Sequence, residues 1–120
     1  MKTTTEQFDE FVKQCWYYID MFELNDWQYT FIHAPLPNSG ASNIAGALCN
    51  LVQRTVSMYL NDDPATPTDD LSLQESAKHE VIHVLLAALG GLAYERFVRC
   101  DEVIAAEEAL VQKLIRLLPV

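Results

Sequence analysis

Basic residues are scarce in this chain: 8 Lys and Arg stand against 17 Asp and Glu, for a formal net charge of −9. Such a surface repels phosphate backbones and anionic lipid, so nucleic acid and membrane are excluded as leading partners. Cysteine is sparse too. Cys15, Cys49 and Cys100 are odd in number, widely spaced and without a Cys-x-x-Cys pair, which argues against a disulfide framework or a thiolate zinc site. They are expected to be free, mostly buried thiols in a reducing compartment. No apolar run approaches the roughly 18 residues of a membrane span. The longest, Val84 to Leu89, continues past two glycines only to Ala93. Met1 to Glu10 carries three threonines and three acids where a secretory leader would have a basic start and an apolar stretch. A cytoplasmic chain is the expectation. Internal repeats and low-complexity tracts are also missing.

What is present is the balance of a folded globular chain, 50% hydrophobic and 21% charged over 120 residues, enough for one domain and its core. Phe8, Phe11, Val12, Cys15, Trp16, Ile19 and Phe22 recur at three- and four-residue spacing, which predicts a one-sided helix over Thr5 to Phe22. Trp27 to His33 is aromatic and β-branched and is stopped by Pro35 and Pro37, so it reads as a strand. After a turn at Asn38 to Gly40, Asn43 to Cys49 and Arg54 to Leu60 can pair as a hairpin across Asn50 to Gln53. Asn61 to Asp70 combines two prolines and four aspartates with no apolar bulk. It reads as a solvated surface loop, since the acids lack the alternating spacing of a calcium loop. Ser72 and Glu75 match a capping box at the start of a long central helix through Leu89 and toward Val98, with Gly90-Gly91 as a kink or break. Asp101 and Glu102 suit the start of a last helix ending near Pro119. The fold class is therefore α+β: an N-terminal helix, a small sheet of about three strands, and two further helices.

His79-Glu80-Val81-Ile82-His83 is a His-Glu-x-x-His pattern on the central helix. Histidines four apart stand one turn above each other, close enough for both imidazoles to meet one zinc ion at about 2.0–2.1 Å. Glu80, about 100° round the helix from His79, can reach a water on that metal without being a ligand. Val81, Leu85, Ala88 and Leu92 point away from the histidines, which leaves the latter facing a second region flanked by Leu86 and Ala87. A cleft floor would look like this. The plain reading is that His79 and His83 are ordinary helix residues and Glu80 makes surface pairs.

A catalytic zinc uses three protein ligands and keeps a fourth position for water. The third-histidine position of the metzincins is Leu89, and the other histidine, His33, lies upstream on a strand. On the last helix Val103, Leu110, Leu114 and Leu117 form one apolar row and Ile104, Val111, Ile115 and Leu118 another, with Glu107 between them. A carboxylate at the centre of a buried stripe costs several kcal/mol unless compensated, and a divalent cation would compensate it. Glu107 therefore ranks first as third ligand, Glu108 second and Glu102 third; the competing reading pairs Glu107 with a basic residue or tyrosine in the core.

HEVIH followed some two dozen residues later by AEEALVQKL, behind one amphipathic helix and a few strands, resembles the zincin metallopeptidases, of gluzincin type in a minimal form. It is also similar to small phage and bacterial proteins of metallopeptidase type. The resemblance implies zinc held by His79, His83 and Glu107, Glu80 as general base, and an edge strand that binds the substrate chain. The chain departs from larger members in having no evident separate substrate-binding domain and no Asn-Glu signature at the third ligand, which leaves Glu107 and Glu108 both open. Larger relatives place a Tyr or His donor over the oxyanion. Tyr94, Tyr59, His33 and Arg96 qualify by type alone. The expected function is zinc-dependent hydrolysis of a peptide or protein substrate at an amide bond, with oligomeric state open. One alternative is a small zinc-stabilised binding protein without catalysis, its site closed by a fourth ligand such as His33 or a cysteine. A blander one is a metal-free helical protein that packs its central helix on a partner.

Overall fold

The computed structural model describes residues 2–37, 44–93 and 99–117, and its order is α1 (Thr5–Met21), β1 (Gln28–His33), β2 (Ala45–Asn50), β3 (Thr55–Leu60), α2 (Asp70–Ala93) and α3 (Cys100–Leu117). The α+β class holds. Helix α1 starts at a capping box on Thr4: its hydroxyl accepts from the Gln7 amide at 3.1 Å and its own amide donates to Gln7 Oε1 at 2.8 Å. Phe11, Cys15, Tyr18 and Ile19 form its buried face, while Trp16 is pushed outward to 40% exposure against Tyr29 and Phe31. The helix closes in a Schellman motif, with Leu24 N–H donating to Ile19 O and Glu23 N–H to Asp20 O. The left-handed position that glycine usually fills is Glu23, with φ 57°.

The sheet has the order β1-β3-β2. β2 and β3 form the expected hairpin with its turn one residue later, at Leu51 to Arg54, so that Asn50 pairs with Thr55. β1 lies parallel to β3, from Gln28 opposite Thr55 to His33 opposite Leu60, which makes β2 an outer strand. Alternation along β3 sends Val56, Met58 and Leu60 into the core. They meet Phe11 and Ile19 of α1 and Leu73 and Val81 of α2, two helices on one face of one sheet.

Four expectations change here. The cap of α2 is Asp69, whose carboxylate accepts from the Ser72 amide at 2.8 Å, so Ser72 lies inside the first turn and is not the cap. Gly90-Gly91 does not end α2, which continues to Ala93. A Cβ at Gly91 would stand 1.8 Å from Leu51 Cδ1, so the glycine serves close approach of the β2–β3 turn. The segment from Asn61 is not wholly solvated: Asn61 and Pro64 are buried, and Thr3 clips it by donating to Asn61 O at 2.8 Å. The turn expected at Asn38 to Gly40 lies outside the described residues. No helix among them is long and apolar enough to cross a membrane. All three thiols are free, but only Cys15 is buried; Cys49 and Cys100 are exposed, against the expectation that most would be inside.

Candidate metal centre

The central helix turns two different faces to the protein. Leu73, Ala77, Val81 and Val84 pack against α1 and the sheet, and about 135° away His79 and His83 emerge into an open cleft of about 990 Å³. The cleft runs between α2 and β2. Six consecutive residues, Ile44 to Cys49, line it, and since successive strand side chains alternate in direction, both sides of β2 contribute. The strand therefore presents its edge to the cleft. At the far end Leu51 closes against Gly91.

The two imidazoles converge, with His79 Nε2 and His83 Nε2 3.2 Å apart and the rings edge to face at 72°. Two nitrogens bound to one tetrahedral ion at about 2.05 Å would stand about 3.3 Å apart, so the pair already has the separation that zinc requires. Among the described residues, His79, Glu80 and His83 are the group of possible ligands whose atoms lie within 4.8 Å of one another. Glu80 Oε2 is 4.0 Å from His79 Nε2, longer than a shared tetrahedral site would set, which suits a carboxylate beside a metal-bound water better than one on the metal. Both histidines are exposed, whereas Glu80 is 8% exposed. Burial lifts the Glu80 carboxyl above its ordinary pKa, and the neighbouring His79 and His83 oppose that shift.

Glu107 is not in this group. The buried stripe expected on α3 is corrected: none of the described α3 residues is buried, Glu107 and Glu108 are exposed, and Ile104 and Ile115 are 59% and 63% exposed. The desolvation cost that singled out Glu107 therefore does not arise in this conformation. Glu102 lies at the start of α3, half-buried and paired with Arg99 at 3.3 Å. His33 serves the fold: its Nε2 is 2.6 Å from Thr3 Oγ1 and its ring stacks on Phe8. Tyr59 does line the cleft, while Tyr94 and Arg96 lie outside the described residues.

Cys49 and Glu75 line the cleft as well; in the sequence Cys49 reads as one of three free thiols and Glu75 as a capping-box residue, with neither placed beside the histidines. Partial desolvation of the sulfur, on a residue exposed overall, raises the Cys49 thiol pKa, with the Glu80 charge a second cause in the same direction. Glu75 had a visible signal, since it stands four residues before His79 and so on the same helical stripe. Comparison of the chain with protein-family models, with curated proteins and with solved structures finds no match.

Proposed function

We propose that the chain is a zinc-dependent hydrolase of metallopeptidase type, cleaving peptide or related amide bonds, with His79 and His83 as metal ligands and Glu80 as general base. The observation that carries this reading is the 3.2 Å convergence of the two Nε2 atoms beside a buried carboxylate, on the floor of an open cleft. Bound zinc would lower the pKa of its water toward about 7 and polarise the scissile carbonyl. Glu80, held out of solvent and above its ordinary pKa, is the group that would accept a proton from a metal-bound water and return it to the leaving amine. The outer strand β2 offers backbone groups along the same cleft for an extended substrate chain. Glu107 is the third ligand the resemblance implies. Being exposed and outside the histidine group, it can serve only if α3 reseats over the cleft when metal binds.

Elemental analysis of purified protein tests the site before its chemistry. The native chain is expected to carry about one zinc, His79→Ala with His83→Ala to carry none, and Glu80→Gln to keep the metal while losing turnover by about 10²-fold or more. Metal kept in full by the double variant, or an unchanged rate in Glu80→Gln, defeats the proposal. Glu107→Ala and Glu108→Ala, assayed for zinc affinity, decide between the two carboxylates. One observation favours the structural-zinc alternative: the Cys49 thiol on the cleft wall. Cobalt substitution separates the two readings, because a thiolate-to-cobalt charge-transfer band would mark a site closed by cysteine.

A further inference from the structure

The charged groups that line the cleft are of one sign. Besides the two histidines they are Glu75 and Glu80, and among the described residues no Lys or Arg borders it. The rest of its wall is largely small or aliphatic, including Ala45, Ala47, Leu48, Leu86 and Ala87. The whole chain adds a net charge of −9 to that local bias. An anionic substrate therefore meets an unfavourable potential, apart from whatever a bound cation contributes.

Glu75 differs from Glu80 in what it is free to do. It is exposed, and among the described residues its carboxylate has neither a hydrogen bond nor an ion pair. It stands one turn before His79, which is about 6 Å along the helix axis. Leu51, just past the end of β2, meets Gly91 near the C-terminal end of α2, and the cleft is lined by β2 residues on one side and by α2 residues from Glu75 to Gly91 on the other. An extended peptide laid along β2 advances about 3.3 Å per residue, so 6 Å corresponds to about two residues. A cationic side chain about two residues from the bond above the histidines would reach the Glu75 carboxylate.

Building on the proposed hydrolase, we infer that its substrate class is basic-apolar peptide: a segment with small or aliphatic residues at the cleaved bond and a Lys or Arg about two residues away, selected by Glu75. Glu75 is a specificity-determining residue in this scheme and takes no part in proton transfer. It forms an ion pair at the cleft rim, and its influence fades as salt rises.

The test uses the full-length chain and a set of otherwise identical apolar peptides carrying Lys, Gln or Glu two residues to either side of the central bond. Affinity is read by fluorescence anisotropy on the zinc-loaded Glu80→Gln variant and on the metal-free native chain, and kcat/KM is read on the zinc-loaded native chain. Lys over Glu is expected by about ten-fold, the sum of one favourable and one unfavourable exposed pair. Glu75→Gln should reduce that ratio to about two-fold or less, and Glu75→Lys should invert it, both with zinc content unchanged. Equal binding of the three peptides, no binding of any, or a Lys preference that survives Glu75→Lys overturns the inference. Loss of the hydrolase reading shows differently: peptides bind with the charge preference, but no zinc is carried and no bond is cut.

Discussion

Helices α2 and α3 follow one another in the chain and are both rich in aliphatic residues, yet only one is inside. Leu73, Ala77, Val81 and Val84 of α2 are buried between α1 and the sheet, while α3 has no buried residue among those described. The sequence pattern gives both helices an apolar face to bury. α3 has the cleaner amphipathic stripe, whereas α2 is apolar on much of its circumference and interrupted by His79, Glu80 and His83. A stripe states that a helix has a face to cover; it does not state what lies opposite. α3 is held by partly buried Leu110, packed against the core, and by polar contacts: Lys113 Nζ donates to Glu23 O at 2.6 Å and Arg116 Nε donates to the Glu23 carboxylate at 3.0 Å.

Truncating one leucine in each helix gives the largest contrast. Leu73→Ala removes a side chain that is 0% exposed and should cost about 2–5 kcal/mol, read from the denaturant midpoint. Leu114→Ala, at 39% exposure, should cost less than about 1 kcal/mol. Equal losses would mean that the α3 stripe is covered in solution, and the difference between the helices would vanish.

The same contrast explains which parts of the molecule were legible in the chain. α1, the three strands and the histidine motif rest on local periodicity and i, i+4 spacing, so each could be read from its own residues. The parallel pairing of β1 with β3 could not, because the ladder joins Gln28 to Thr55 with β2 intervening in the sequence. The start of α2 was misplaced because Ser72 and Asp69 both have capping chemistry and only the backbone decides between them. Glu107 was chosen by assuming that an apolar row is a buried row, and α3 breaks that assumption. The edge of β2 was invisible for a related reason: a cleft belongs to two elements at once, and the spacing of Glu75 from His79 places it on the histidine stripe without saying that a strand lies opposite.

Within α2 itself the two adjacent glycines sharpen the point. A Cβ at Gly90 meets nothing within 4 Å, so Gly90→Ala should stabilise by roughly 0.5–1 kcal/mol through helix propensity alone. Gly91→Ala makes the same backbone gain but must displace the Leu51 side chain, and should fall at least about 1 kcal/mol below its neighbour in thermal unfolding. Adding Leu51→Ala should restore much of that gap. If Gly91→Ala matches Gly90→Ala from the outset, the β2–β3 turn does not press on α2, and the closed end of the cleft is open.

The smallest effect concerns the anchor of α3. Glu23 occupies the left-handed position after α1, and its carboxyl is held below the ordinary carboxylate pKa, first by the hydrogen bond from Arg116 and then by the charges of Arg116 and Lys113. A lowered folded-state value fixes the sign: the contribution is complete above the ordinary carboxylate pKa and disappears as pH falls through the lowered one. Because Glu23 is solvent-exposed, the effect is modest and weakens with salt. Amide hydrogen exchange in α3, compared at neutral and acid pH after correction for the intrinsic rate, should show lost protection in the native chain. Glu23→Gln should exchange faster at neutral pH and change little on acidification. If both proteins lose α3 protection equally in acid, the helix is held by something other than this carboxylate, and the polar part of what keeps α3 attached is wrongly assigned.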